Sequence, residues 1–337
     1  MTVPYSKMKR KGYIIEQVAD MENLRWSYIK AKRGKSAKQE VLTYSQNLQE
    51  NLMSLRSSLL TDQVQVGNYH YFTIYDPKER LICAAPFAQR VLHHALMNIC
   101  HEDFERFQTN DSYASRIGRG TYMALEQAIH NQNTYRYCLK LDVRKYFDSV
   151  DHSILLQQLQ RIYKDPHLLL LFSQIIDSYS VSSNKGLPIG NLTSQYFANH
   201  YLAYADHYIR EHLHACAYIR YMDDMLIWDN DRARLLKIGI ALREYLALQL
   251  QLSLKVFTLA HTSQFITFLG YRIAKHEQRL SKRSADRFRE KLKYLYTQYN
   301  NDQIDQTQLQ HHLLPLLAFV NKVQSDTFRQ QTMMIIQ

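Results

Sequence analysis

Tyr221-Met222-Asp223-Asp224 sets two carboxylates side by side between two short apolar runs, Ala217–Tyr221 and Met225–Trp228. Adjacent carboxylates at a tight turn repel, and Arg220 is their obvious basic neighbour in the sequence. Such a cost is commonly tolerated where a cation binds. The plain alternative is a solvated hairpin carrying two surface aspartates. A third carboxylate shifts the balance. Leu139-Lys140-Leu141-Asp142-Val143 reads as an apolar strand with Asp142 near its exit, and two neighbouring strands would bring Asp142 beside Asp223. Magnesium takes oxygen ligands, commonly one or two carboxylates plus substrate phosphates. Two such ions roughly 3.5–4 Å apart can activate an attacking 3′-oxygen and stabilise a leaving pyrophosphate. The chemistry implied is phosphoryl transfer by positioning and charge neutralisation.

The elements that must position these groups follow from pattern. Residues 14–32 and 36–60 read as two helices broken at Arg33-Gly34-Lys35, with Ser36 as the cap of the second. Tyr69–Tyr75, a turn at Asp76-Pro77-Lys78 and Arg80–Ala84 read as a hairpin. Pro86 opens a long helix to about Phe107, and Thr121–Asn131 is helical. After the strand Tyr135–Val143, helices follow from Asp151 to about Ser178. Gly186–Thr193 is a loop, and Ser194 starts a helix to about His214. Asp231–Leu250 is helical, Leu252–Leu259 and Phe265–Ile273 are strands, and Ser281–Gln337 is helical with a basic start. Short strands between helices predict an α+β core of split-βαβ type.

Lys and Arg number 42 against 31 Asp and Glu, a net charge of +11. That excess suits a phosphate backbone, and 25 tyrosines offer faces for unpaired bases. The cysteines (Cys83, Cys100, Cys138, Cys216) form no CxxC pair and are expected to be reduced. The first twenty residues carry no apolar signal core, and no apolar run approaches the ~20 residues of a membrane helix. No membrane partner and a cytoplasmic location are therefore expected. His93-His94 and His311-His312 lack the spaced cysteine partners of a tetrahedral zinc site.

The motifs together resemble those of reverse transcriptases. LKLDVRKYFDSVDH (139–152) resembles the first catalytic motif of that family and YMDD (221–224) the second. GLPIGNLTSQ (186–195) resembles the loop and helix between them, and Phe268-Leu269-Gly270-Tyr271 resembles the primer grip. The resemblance runs from about residue 70 to 275. It implies a right-hand polymerase: an N-terminal extension and fingers over 1–134, a palm on a mainly antiparallel sheet over 135–273 with fingers segments near 151–185, and a short helical thumb over 274–337. Asp142, Asp223 and Asp224 would then be catalytic, holding two Mg²⁺ (or Mn²⁺) ions with Val143 among the metal and nucleotide contacts. Phe147 would be the gate against a ribose 2′-OH. Arg80, Ile189, Gly190, Gln195 and Lys255 would line the incoming nucleotide, with Arg80 on its triphosphate. Arg116, Arg119, Tyr221, Met222, Leu269 and Gly270 would meet template and primer. The substrates implied are a template RNA, the RNA–cDNA duplex and dNTPs.

In the family's usual loop, Gln precedes the Gly and Pro follows the Ser; here Ile189 and Gln195 stand there. That departure, with GYIIEQVADMENLRWSYIKAKRGK (12–35), resembles the reverse transcriptases of diversity-generating retroelements. It implies a bacterial or phage-encoded enzyme making adenine-mutagenic cDNA with a small basic accessory variability protein. Ile189 cannot hydrogen-bond through its side chain where the family has an amide. Looser checking of the base pair follows as an expectation. The rivals are another bacterial reverse transcriptase (retron, group II intron-like or phage-defence type), an RNA-dependent RNA polymerase, against which Phe147 speaks, and a non-catalytic RNA-binding assembly protein. The intact carboxylate set speaks against the last.

Overall fold

The computed structural model describes residues 9–75, 79–323 and 328. The turn expected at Asp76-Pro77-Lys78 lies outside the described residues. In chain order the first elements are α1 (Ile15–Val18), α2 (Met21–Lys32), α3 (Gln39–Gln46), α4 (Leu48–Leu60), β1 (His70–Ile74), β2 (Arg80–Ala84), α5 (Phe87–Phe107) and α6 (Thr121–Thr134). Next come β3 (Tyr137–Asp142), α7 (Tyr146–Ser149), α8 (His152–Gln160), α9 (Pro166–Asp177), α10 (Leu192–His207), β4 (Ala217–Tyr221) and β5 (Asp224–Asp229). The last are α11 (Arg232–Leu250), β6 (Thr258–His261), β7 (Ile266–Phe268), β8 (Tyr271–Ala274), β9 (Glu277–Leu280), α12 (Lys282–Asn300) and α13 (Gln306–Val320). No helix among the described residues is long and apolar enough to cross a membrane. All four cysteines are free, and only Cys216 is exposed.

These elements form two compact units. The first takes the described residues up to 116 together with 143–213 and 241–255. Its centre is α5, whose buried residues Val91, Leu92, Ala95, Leu96 and Phe104 recur at helical spacing. Here α5 packs on α2 and α10. The N-terminal segment is held by one carboxylate. Asp165 Oδ1 accepts the backbone N–H groups of His167 and Leu168, capping α9, while Oδ2 accepts those of Ile14 and Ile15 at 2.6 and 2.9 Å. Burial alone would raise the pKa of Asp165. The four donors outweigh it and leave that pKa below the ordinary value.

The second unit takes 117–142, 214–240 and the described residues from 256 onward. Its sheet has the order β4-β5-β3-β6 with every neighbour antiparallel. Leu139, Leu141, Ile219, Leu226 and Trp228 are fully buried. The Trp228 indole N–H donates to Gln132 Oε1 on α6 at 2.9 Å, so its one polar atom is satisfied. Leu139 packs so close to Gly239 of α11 that an added Cβ there would sit 2.9 Å from the leucine. A separate three-stranded sheet, β7-β8-β9, is followed by α12 and α13, which share Phe288, Leu292 and Val320.

Several boundaries differ from the pattern reading. The first helix breaks at Ala19-Asp20, because Asp20 accepts from Glu22 N and Asn23 N and starts α2 afresh. The second starts at Gln39 after Lys38, not Ser36, and breaks at Asn47. Leu252–Val256 makes only an isolated bridge, Leu254 to Val143, and Val256 is 95% exposed. Phe265–Ile273 is not one strand. Leu269 and Gly270 both take positive φ (50° and 88°) and fold it into the β7–β8 hairpin. Helix α10 begins at Leu192, two residues before Ser194, and passes at Tyr208 into one π-helical turn ending at His212.

Candidate active site

The register of the four-stranded sheet assembles the carboxylates. Asp142, the last residue of β3, lies directly across from Asp224, the first of β5. Tyr221 pairs with Asp224 on the other side, so Met222-Asp223 is a two-residue turn. Met222 carries φ 53°, a conformation that costs a non-glycine residue roughly 1–3 kcal/mol. Residues directly opposite on neighbouring strands point to the same face, so Asp142 and Asp224 face one another as like charges, which is destabilising by itself. The Arg220 guanidinium holds the turn by donating to Met222 O at 3.2 Å. Tyr221 shares a hydrogen bond with Thr121 at 3.1 Å.

Asp224 also has a basic neighbour in Lys140. Its ammonium donates to Asp224 Oδ2 at 3.3 Å and to Thr267 O at 2.5 Å. Lys140 stands two residues before Asp142, hence on the same face of β3. That spacing was the available sequence signal. Burial pushes the Asp224 carboxyl up to about 6; Lys140 works against the rise, and Asp142 and Asp223 add to it. Its other oxygen, Oδ1, is buried and accepts no hydrogen bond among the described residues. An orphaned carboxylate oxygen beside two more carboxylates fits a hard cation. No three His, Cys, Asp or Glu side chains among the described residues already close into a metal cage. Magnesium held by one or two carboxylates plus substrate phosphates requires none.

The other candidates sort by unit. Leu269 and Gly270 lie in the second, at the β7–β8 turn. A Cβ on Gly270 would come within 2.8 Å of Ser284 Oγ and 3.1 Å of Phe319. Arg119 is there too and half-buried. In the first unit, Val143 is buried and bridges Leu254. Phe147 sits half-buried on α7, its ring edge-on to Tyr146 at 5.8 Å and its carbonyl accepting Leu187 N at 2.8 Å. Tyr146 is anchored by a short hydrogen bond to Ala198 O. Ile189 O accepts Cys83 N at 2.8 Å, which stitches this loop to β2. Gly190 has φ 116°, and a Cβ there would meet Ile82 at 3.0 Å. Gln195, in the first turn of α10, accepts from Ser115 Oγ at 3.3 Å. Arg80 and Lys255 are exposed.

Arg116, expected at the template, is bonded to the loop around it. Its side chain is 6% exposed. It donates to Glu105 Oε1 at 2.9 Å and to the carbonyls of Thr109 and Ser112 at 2.5 and 2.8 Å. These bonds hold the loop that follows α5.

Comparison with known proteins shows the family and the fold. The family model described as reverse transcriptase (RNA-dependent DNA polymerase) matches residues 75–273, more than half of the chain. Protein YkfC of Escherichia coli (strain K12) is 22% identical over 279 residues, covering 67% of this chain and 73% of YkfC. The structure of apo telomerase from Candida tropicalis superposes with a TM-score of 0.50 at 13% identity over 70% of this chain. A form truncated from its C-terminal domain gives 0.48 at 15% identity over 68%. The chain spans 54% and 59% of the length of those two telomerase chains. The fold is the α+β right-hand polymerase fold expected from the sequence.

Proposed function

The chain belongs to the reverse transcriptase (RNA-dependent DNA polymerase) family, and we propose that it copies an RNA template into DNA by nucleotidyl transfer assisted by two divalent ions. The observation that carries this reading is the pairing of Asp142 with Asp224, with Asp223 in the joining turn. Asp142 and Asp223 would hold both ions, with Asp224 alongside and Val143 offering its backbone. Bound Mg²⁺, or Mn²⁺ in its place, supplies activation of the primer 3′-oxygen and neutralisation of the departing pyrophosphate. Lys140 keeps Asp224 in place by pairing with one oxygen and leaving the other open. Phe147 would close the space of a ribose 2′-OH and select deoxynucleotides. Arg80 and Lys255 would take the triphosphate, a guanidinium suiting phosphate bidentately. Arg119 would follow the template, with Tyr221, Met222, Leu269 and Gly270 along the primer. The fingers, palm and thumb boundaries drawn from the sequence belong to the same proposal.

The finer reading is an enzyme of a diversity-generating retroelement, making adenine-mutagenic cDNA with a small basic accessory protein. Ile189 and Gln195 support it. The Ile189 loop is fixed to β2 through its backbone, so replacing an amide there with an apolar side chain changes the chemistry offered to a base without moving the loop.

The test supplies primed RNA, Mg²⁺ and dNTPs and sequences the product, with Asp223→Ala as control. Wild-type cDNA carrying errors opposite template adenines is the expected result. Accurate cDNA would keep the polymerase and discard the retroelement. Incorporation that survives in Asp223→Ala would discard the metal-site assignment.

A further inference from the structure

Lys140 meets two partners in two different sheets. Its ammonium donates to Asp224 Oδ2 at 3.3 Å and to Thr267 O at 2.5 Å. The first partner is a carboxylate of the four-stranded sheet. The second is a backbone carbonyl of β7, in the three-stranded sheet of the same unit. Two of the three N–H donors of the ammonium are therefore committed. Because one nitrogen bonds both, the two oxygens lie within about 6 Å of each other.

Topology explains why Thr267 has an acceptor to offer. Strand β7 is an edge of the order β7-β8-β9, and an edge strand carries backbone groups that its own sheet leaves unpaired. Thr267 lies two residues before Leu269, where positive φ at Leu269 and Gly270 turns β7 into β8. The rest of the hairpin is held firmly. Phe268, Tyr271 and Ile273 are fully buried. The Tyr271 hydroxyl donates to Phe319 O at 2.8 Å, and Ser281 N donates to Gly270 O at 3.0 Å. Lys275 N donates to Thr262 O at 2.7 Å, which fastens the end of β8 just past β6. Lys140 fastens β7 beside the carboxylates.

The ion pair alone is a weak reason for this arrangement. Both side chains keep a quarter of their exposure (26% and 25%), and solvent screens such a pair. Holding a four-carbon side chain in one conformation also costs entropy. A group that meets a carboxylate and a turn-bearing strand together is better explained by what it aligns. We propose that Lys140 is a positioning residue that sets the β7–β8 hairpin, and with it the primer end, in register with the metal-binding carboxylates. This rests on the reading of Asp142, Asp223 and Asp224 as the metal site and of Leu269 and Gly270 as primer contacts. The β7–β8 turn lies at most about 7 Å beyond Thr267. A strand advances about 3.4 Å per nucleotide, so the hairpin governs the last few nucleotides of the primer. Small misplacements there slow an in-line transfer steeply.

The test reads where the metal sits against the primer. Fe²⁺ in place of Mg²⁺, with ascorbate and hydrogen peroxide, generates hydroxyl radicals that cut the nearest sugars of an end-labelled primer annealed to RNA. The wild-type chain should cut within about two nucleotides of the 3′ end. Lys140→Met keeps the stem and removes the donors. It should bind primer–template within about twofold of wild type and spread or shift the cuts by about one nucleotide or more. Its kcat should fall on the order of tenfold, with KM for dNTP within about threefold. Lys140→Arg can donate to both partners and should restore the wild-type cuts. Lys140→Gln is too short to span them and should cut like Lys140→Met; it is the variant to read where Lys140→Met does not fold. Wild-type cuts in Lys140→Met or Lys140→Gln, or cuts in Lys140→Arg as spread as those of Lys140→Met, would overturn the proposal. Failure of both uncharged variants to fold would overturn it too, by showing a purely structural role. A wild-type chain that neither cuts nor extends, or Asp223→Ala that still cuts at the same nucleotides, would instead discard the metal-site reading and the proposal with it.

Discussion

Asp224→Asn keeps the shape of the side chain at the start of β5 and removes its charge. Burial first, then Asp142 and Asp223, raise the carboxyl from 3.8 to about 6 against the pull of Lys140. A raised pKa means that between those values the folded protein retains a proton the unfolded chain has lost. Ionising Asp224 therefore removes stability as pH climbs from about 4 to 6, and the loss is complete above that window. Two units correspond to about 3 kcal/mol. The side chain keeps 25% exposure, which screens the effect toward ~2 kcal/mol. In the presence of EDTA at pH 7.5, the variant should melt roughly 3 °C above wild type, and at about pH 3, below both values, the two should coincide. Mg²⁺ should raise the wild-type melting temperature more than that of the variant, which loses primer extension. The difference between the two proteins is the quantity to read, because both acidify with a second effect. Burial holds His93 down at about 4 and His200 at about 3, so the unfolded chain takes up protons first and stability falls below pH ~6.5 in each. A variant that melts below wild type at pH 7.5, or a gap that persists at pH 3, would refute the account of strained carboxylates.

Other substitutions test separate parts of the site. Phe147→Val should raise ribonucleotide incorporation relative to dNTPs on the order of tenfold or more, measured by competitive primer extension; unchanged discrimination would remove the gate. Ile189→Gln should lower misincorporation opposite adenine in sequenced cDNA, and an unaltered error spectrum would count against the loop. Arg116→Ala should cost about 2 kcal/mol of stability, since it strands Glu105 and two carbonyls; a template role would instead weaken RNA binding and spare the melt. Gly190→Ala should cost about 1–3 kcal/mol, because φ 116° and the Ile82 contact both oppose a Cβ.

The carboxylates were legible because each ended an apolar run of strand length, and a hairpin can join Tyr221 to Asp224 in few ways. Lys140 was not legible. Its contact with Asp224 depends on β3 pairing beside β5, a register that residue spacing leaves open. Arg116 and Arg119 look alike in the sequence, and only the fold turns Glu105 toward the first of them. Leu252–Val256 has strand-forming residues, yet pattern does not say whether a partner strand lies alongside; here only Leu254 finds one. The breaks at Asp20 and Asn47 were hidden because helix-favouring residues continue on both sides, so local propensity had no reason to stop. In the β7–β8 hairpin, Leu269 at positive φ hid the turn that Gly270 alone only hinted at.

Asp165 has a consequence in time. It caps α9 within its own neighbourhood but reaches Ile14 across 151 positions. At roughly 5–20 residues per second, a ribosome needs about 8–30 s to make that span. Throughout that interval Ile14 and Ile15 have been synthesised and the carboxylate that receives their amides has not. The four-residue helix α1 is too short to persist unaided, so the beginning of the chain waits for a residue near its middle before it can settle. Nascent chains halted before Asp165 emerges should leave this segment open to protease, and chains released beyond it should not.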